Sequence, residues 1–463
     1  MPENHKLLTL VFISVFAIVA YHAAPDMTSG DSCELVASSE LLNIPQSGSS
    51  HLFSLISKVF LSADIFPLKV IRFANLMSAF YLSLCYLVLF LIMNRMKIEQ
   101  YLSVALLGFL VTSFISSVGF RVEVYSLNLL FLALHLYFIQ SFFLNPRQKW
   151  LLLAGFILIL SFSLQLTNLV LILPLCVLCY QERGKISKGV AALTIALALT
   201  PFLFLLIRAQ GDVIWNYSKP DSITVSYHNL VDSGKNLKVL LLAGFPELLI
   251  RCKEYLILLG SLLKFLLIFP VVLFIYGKSR GFTAYLLALA LLNTGFFLIT
   301  PCLPLSKFHF YLPSLICFFL IAAQGTSQFS RRNFTLVLST VLIISALGNY
   351  YLLCRDSMRN DFLIREWVEK SLAFLPQKSI LLVSGDELAF PLFYAQYVEK
   401  IRTDIMVVDS SLISIPWYRD YLRKYLGLEP EALSEGLAHG GLTGVFSAEK
   451  HPVETTYFFN NYG

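Results

Sequence analysis

Long apolar runs separated by short polar connections fill most of the chain, and the pattern changes only after Tyr351. Measured against the ~20 apolar residues that a spanning helix needs, the runs predict membrane helices near 6–23, 70–93, 100–118, 124–143, 150–165, 166–180, 189–208, 254–276, 281–300, 309–325 and 333–353, about eleven in all. The pair at 150–180 falls short of two full spans. Gln165, Thr167 and Asn168 lie between its halves, which points to broken or re-entrant helices buried against protein. Beyond Tyr351 charges return. Asp361 to Leu375 reads as an amphipathic helix, Ser379 to Val383 as a buried strand, Ala389 to Val398 as a helix and Asp404 to Val408 as a second strand, together a βαβ crossover. No fold is legible over 430–463. The expected architecture is mainly α: a polytopic helix bundle over 1–353 with outer loops at 24–69 and 209–253, then a small extracytoplasmic α/β domain over 354–463.

Composition sharpens this picture. The 463 residues are 57% hydrophobic and 14% charged, with mean hydropathy +0.71, against roughly 25% charge in a soluble domain; this is an integral membrane protein. Arg95 and Lys97, Arg147 and Lys149, Arg183, Lys185 and Lys188, Lys278 and Arg280, and Arg331 and Arg332 fall on alternate connections, which the positive-inside rule places in the cytoplasm. The net charge of +6 thus belongs to membrane loops, and nucleic acid is excluded as a partner. The rule also puts the N-terminus in the cytoplasm. The run after Lys6 is expected to stay as a first helix rather than be removed as a secretory signal. Eight Cys are scattered without a CxxC pair or a Cys/His zinc spacing, so neither a metal scaffold nor a disulfide scaffold is implied.

Candidate chemistry gathers on the face opposite the basic loops. Asp31 and Glu34, three residues apart after the first apolar run, would share one side of a helical turn. Such carboxylates take a proton from an incoming hydroxyl or hold a divalent cation; equally, Thr28, Ser29 or Asp31 suits the cap of a helix running on through Leu35, with Glu34 placed as in a capping box. Asp26 and Glu40 read as solvated face. Arg121, Glu123 and Tyr125 sit at the outer end of the fourth span, with Asn128 one turn deeper, where ionisable groups are either paired or functional. Lys264 lies mid-span and either meets a lipid phosphate or snorkels. Arg208, Lys307 and His309 map to the same face and would make an anion clamp, or merely anchor helix ends. Asn216 and Tyr217, in an aromatic and polar segment, suit sugar stacking or an interfacial position. Ser384-Gly385-Asp386-Glu387 follows a strand and opens a helix, as at ligand sites and as at any N-cap. There is no GxGxxG, P-loop or HExxH.

The stretches Gly30 to Leu35, Phe120 to Asn128, Asn216 to Pro220 and Phe310 to Ser314, then Gly385 to Tyr394, Ile401 to Asp404 and Pro416 to Tyr418, resemble in order a membrane family whose vertebrate member is the transmembrane protein O-mannosyltransferase of plexin-type receptors. The resemblance implies a GT-C glycosyltransferase bundle, a polyprenyl-phosphate sugar donor, a protein or glycan acceptor, and an essential acid in the first external loop. Carried over by motif, that acid is Asp31, with Glu34 beside it and Glu123 facing the same cavity; Tyr311 falls in a matching stretch. Membrane lipids are further expected partners, and the bacterial inner membrane is favoured over the endoplasmic reticulum. Cys33 stands where the family has Gly, and Tyr217 and Lys219 where it has Trp and Asp. Two other classes compete: a transporter or lipid flippase, which would carry carboxylates near the midplane, and an inactive scaffold acting through the outer domain.

Overall fold

The computed structural model describes residues 2–45, 50–62, 68–183, 187–209, 245–267, 280–299, 308–328, 332–430 and three short strands beyond. The chain is mostly helical. α1 (Pro2–His22), α2 (Ser32–Leu41), α3 (His51–Leu61), α4 (Val70–Arg95), α5 (Gln100–Val111), α6 (Val124–Leu144), α7 (Gln148–Ser161), α8 (Ile172–Gln181), α9 (Lys188–Ala198) and α10 (Thr200–Ala209) come first. α11 (Phe245–Leu263), α12 (Arg280–Ile299), α13 (Leu312–Thr326) and α14 (Arg332–Arg355) complete the apolar part.

α4 shows why these elements span. It has 26 residues, which at ~1.5 Å each gives roughly 39 Å, more than the ~30 Å hydrocarbon core. It is apolar on nearly every side, as a helix surrounded by other helices must be, and it packs along α6 and against α1. α13 lies deepest, whereas α14 turns Val337, Ile344, Leu347 and Tyr351 outward, as a lipid-facing helix does.

Among the described residues, five helices are long and apolar enough to cross a membrane: Val70–Arg95, Val124–Leu144, Gly281–Leu298, His309–Thr326 and Asn333–Arg355. A sixth arises if Lys188–Ala198 and Thr200–Arg208, bent by 40°, make one span. Eleven spans are not confirmed: among the described residues several apolar runs are broken, and part of the run expected at 254–276 lies outside them. The run at 100–118 stops at Val111, where the Thr112 and Ser113 hydroxyls donate back to the Gly108 and Leu110 carbonyls and end the ladder. A 3₁₀ segment, Phe114–Gly119, follows. The pair at 150–180 breaks as its polar residues suggested: Gln165 is extended and a 3₁₀ turn, Leu166–Leu171, precedes α8.

The C-terminal part holds α15 (Leu363–Phe374), β1 (Ile380–Val383), α16 (Asp386–Tyr397), β2 (Met406–Asp409) and α17 (Pro416–Tyr421), then two-residue strands β3 (Ser447–Ala448) and β4 (His451–Pro452), and β5 (Thr456–Phe458). β1 pairs in parallel with β2, Ile380 against Met406, and with β5, giving the order β2-β1-β5. The β1-α16-β2 crossover expected from sequence is therefore present. All eight residues of β1 and β2 are buried, which explains their unbroken apolar runs. α16 packs on α2, and the Ile71 amide at the start of α4 donates to the Tyr394 hydroxyl at 3.2 Å.

Candidate functional site

The turn between α1 and α2 is stitched to the segment that enters α6. Its backbone groups, having left the α1 ladder, need other partners. The Ala24 amide donates to the Phe120 carbonyl at 2.6 Å. Arg72 donates to the Ala23 and Ala24 carbonyls, and Asn75 to those of Ala24 and Asp26, while the Asn75 carbonyl oxygen accepts from the Val122 amide at 2.9 Å. Ser32 closes the circuit by donating to the Val122 carbonyl at 2.8 Å. Two glycines permit the approach. Gly30 takes φ +78°, and at Gly119 a Cβ would fall 2.8 Å from Val19 and 2.9 Å from Leu82, inside van der Waals contact.

This stitching brings sequence-predicted residues together. Arg121 pairs with Glu123 at 3.1 Å and reaches the Ser29 carbonyl at 3.4 Å. Tyr125, in the first turn of α6, stacks on His309 with ring centres 4.0 Å apart. The loop carrying Asp31, the Arg121–Glu123 pair and the Tyr125–His309 stack thus gather at one end of the bundle. Asp31 occupies the N-cap position of α2, but its side chain makes no cap hydrogen bond, and it is exposed. Asp31 is thus the N-cap residue by position, without the side-chain cap bond.

Other candidates are placed differently. Glu34 is buried and accepts from the Ser38 hydroxyl at 2.9 Å. Asn128 donates to Gln165 at 2.7 Å and accepts from Asn168 at 2.6 Å, and Asn168 also meets Ser161; this cluster supports the break between α7 and α8. Arg208 donates to the Leu42 and Leu41 carbonyls at the end of α2, apart from the His309 stack. Tyr311 is buried against Tyr255, ring centres 5.0 Å apart. Lys264 donates to Asn349 on α14 at 2.5 Å rather than snorkelling. Asn216, Tyr217 and Lys307 lie outside the described residues. At α16, Gly385, with φ +92°, is the N-cap, and its amide donates to Asp409 at 3.5 Å.

One reading is corrected outright: Asp26 is not solvated. It is 4% exposed and accepts from Arg365 Nε at 2.9 Å and Lys69 at 2.9 Å. Burial by itself would raise its carboxyl, but the Arg365 and Lys69 hydrogen bonds outweigh burial and hold it below the ordinary carboxylate range. Glu40, likewise expected to be solvated, pairs with Lys58 at 3.2 Å. Cys33 is fully buried and its thiol donates to the Thr28 carbonyl at 3.5 Å; burial pushes it up to about 12, so it is a packing residue and not a nucleophile.

Among the described residues, no three His, Cys, Asp or Glu side chains come together as a metal site. An ion held by one or two carboxylates and a substrate phosphate needs no such group. Of the two carboxylates suggested for it, the exposed Asp31 suits that role better than the buried Glu34. A cavity of about 410 Å³ lies elsewhere, lined by Phe143, Leu173, Leu178, Gly281, Tyr285 and Leu292. It sits near the far end of α6, roughly 27 Å from Tyr125 at ~1.5 Å per helical residue, and has no polar cluster of its own.

Two family models match the chain. Residues 31–188 match the Protein O-mannosyl-transferase TMEM260 N-terminal domain and residues 364–431 match TMEM260-associated domain 2. The mouse protein named "Protein O-mannosyl-transferase TMEM260" is 25% identical over 95 residues, 20% of this chain. The match covers only 13% of that relative's length. The first model takes in Asp31, Glu34, Arg121, Glu123, Tyr125 and Asn128; Arg208, His309 and Tyr311 lie outside both. These matches support the O-mannosyltransferase-like family that the sequence motifs resemble, a family of glycosyltransferases.

Proposed function

For a chain similar to protein O-mannosyl-transferases in both its helical part and its C-terminal part, we propose a GT-C type membrane glycosyltransferase that moves a monosaccharide from a polyprenyl-phosphate donor to a hydroxyl of a protein or glycan acceptor. The observation that carries it is the convergence of the loop carrying an exposed carboxylate, Asp31, with the Arg121–Glu123 pair and the Tyr125–His309 stack at one mouth of the bundle. Asp31 accepts the acceptor hydroxyl's proton as its oxygen bonds to the anomeric carbon. The bond from that carbon to the phosphate oxygen breaks, and its electron pair leaves with the lipid phosphate. Arg121 and His309 steady that charge, and Glu123 holds Arg121 at the mouth. By sequence, Lys307 is offered as a second cation for the phosphate, and Asn216 and Tyr217 as contacts to the sugar. Arg208, Tyr311, Asn128 and Glu34 serve by holding α2, the floor of the mouth and the α7–α8 break in place. A divalent cation, where transfer needs one, would be held by Asp31 and would supply positive charge to the departing phosphate.

The mouth faces the extracytoplasmic side in this reading, with the N-terminus cytoplasmic and the bacterial inner membrane as the host. Its support is the basic connections at the other end, where Arg95 meets Ser141 at 2.5 Å. The test supplies the full chain in liposomes with a panel of polyprenyl-phosphate sugars and hydroxyl acceptors and follows free lipid phosphate by mass spectrometry. One donor should release phosphate with matching product. Lipid movement across the bilayer without any release would replace this reading by the flippase.

A further inference from the structure

We propose that Arg365, in the C-terminal part, is a positioning residue for the loop that carries Asp31, so that this part is a component of the site rather than an appendage. The proposal rests on the reading of Asp31 given above. Arg365 is 6% exposed and lies 339 positions from Asp26, yet its guanidinium joins the two ends of the chain. One edge grips Asp26, with Nε at 2.9 Å and a terminal nitrogen at 2.7 Å from Oδ1. Both terminal nitrogens grip Glu399, each at 2.5 Å. The planar fork suits two carboxylates at once, which a lysine does not reproduce.

Asp26 lies five residues before Asp31 and is more than a counter-ion. Its Oδ1 also accepts from the Met27 amide at 2.8 Å, and its backbone carbonyl accepts from Asn75, which in turn holds Val122 beside Arg121 and Glu123. α4 and the 120–123 segment hold the start and end of the loop; at its middle Asn75 holds the Asp26 backbone and Arg365 holds the Asp26 side chain. Lys69 also reaches Asp26, but its side chain is 58% exposed and it cannot replace a buried fork. Without Arg365 the Asp26 carboxylate would lose its buried cation and the loop would hang at this point on the Asn75 bond to its backbone and the exposed Lys69; a displacement near 1 Å at a reacting group costs on the order of 100-fold in rate.

The test compares wild type, Arg365→Met, Arg365→Lys and, as a control, Glu366→Gln, whose carboxylate is exposed. Hydrogen exchange is read over residues 24–32 and α4 in the full chain in nanodiscs. Exchange over 24–32 should rise at least tenfold in Arg365→Met, less in Arg365→Lys and not in the control, with α4 unchanged. Transfer should then show kcat per folded molecule lowered at least tenfold with the donor KM within twofold, and partial rescue by Lys. Should Arg365→Met fail to reach the membrane, Asp26→Asn gives the same reading. Unchanged exchange over 24–32, or a KM effect with kcat intact, overturns the proposal. If exchange rises as expected and the wild type transfers no sugar, the clamp stands and the reading of the reaction falls.

Discussion

Replacing Asn128 by Leu, nearly the same size, separates a supporting residue from one that touches substrate. The substitution removes two side-chain hydrogen bonds, to Gln165 at 2.7 Å and from Asn168 at 2.6 Å. Inside a bundle at membrane depth each such bond is worth about 0.6 kcal/mol, or about 1.2 kcal/mol for the two. Asn168 keeps its contacts with Ser161, but the Gln165 carbonyl loses the donor it has, for about 1 kcal/mol more. The sum, about 2 kcal/mol, corresponds to roughly 30-fold in the unfolding equilibrium constant at ~1.4 kcal/mol per factor of ten. Reversible SDS denaturation of the purified chain, followed by fluorescence, measures this directly. The account expects a shift of that size with transfer per folded molecule within twofold of wild type. Unchanged stability with transfer lost would refute the assignment and return Asn128 to the substrate.

Two further predictions follow from the first loop. Because Asp26 titrates below the ordinary range, the stability it contributes is fully present above the unfolded value of about 3.9 and is lost as pH falls through the folded one. Exchange protection over 24–32, corrected for intrinsic rates, should be flat from about pH 8 to about pH 5 and fall only below about pH 4; a midpoint near pH 6 would contradict the clamp. In a variant that keeps only Cys33, a maleimide at about pH 8 should leave the folded protein unlabelled, since burial pushes this thiol up to about 12, and should label it fully in SDS. Labelling of the native protein would show that the site is open.

Much of this fold is legible in the sequence, and the exceptions have physical causes. α4 and α6 announce themselves because each apolar run reaches a full span without interruption. The break between α7 and α8 shows in Gln165 and Asn168, whose polar side chains serve the broken ends. β1, α16 and β2 were readable because buried parallel strands are short continuous apolar runs bounded by turns, although α16 begins at Asp386, three residues earlier than expected. The break in the run at 100–118 was not readable, since an apolar 3₁₀ stretch such as Phe114–Gly119 has the hydropathy of a helix. Arg121, Glu123 and Tyr125 could be found as neighbours on one helix end, and His309 by its position on the same face. The clamp could not be found, because Asp26 in a polar loop looks solvated until the fold brings Arg365 onto it from the far part of the chain.

The central claim is that Asp31 is the proton acceptor for transfer. Asp31→Asn keeps the side chain's size, and asparagine suits the N-cap position of α2 as well as aspartate does, so the substitution should leave folding intact. General-base groups contribute about 10²- to 10⁴-fold. In liposomes carrying the donor that the wild type uses, release of lipid phosphate from the asparagine variant should fall by at least about a hundredfold at unchanged protein level and donor binding. Release within threefold of wild type would contradict the account.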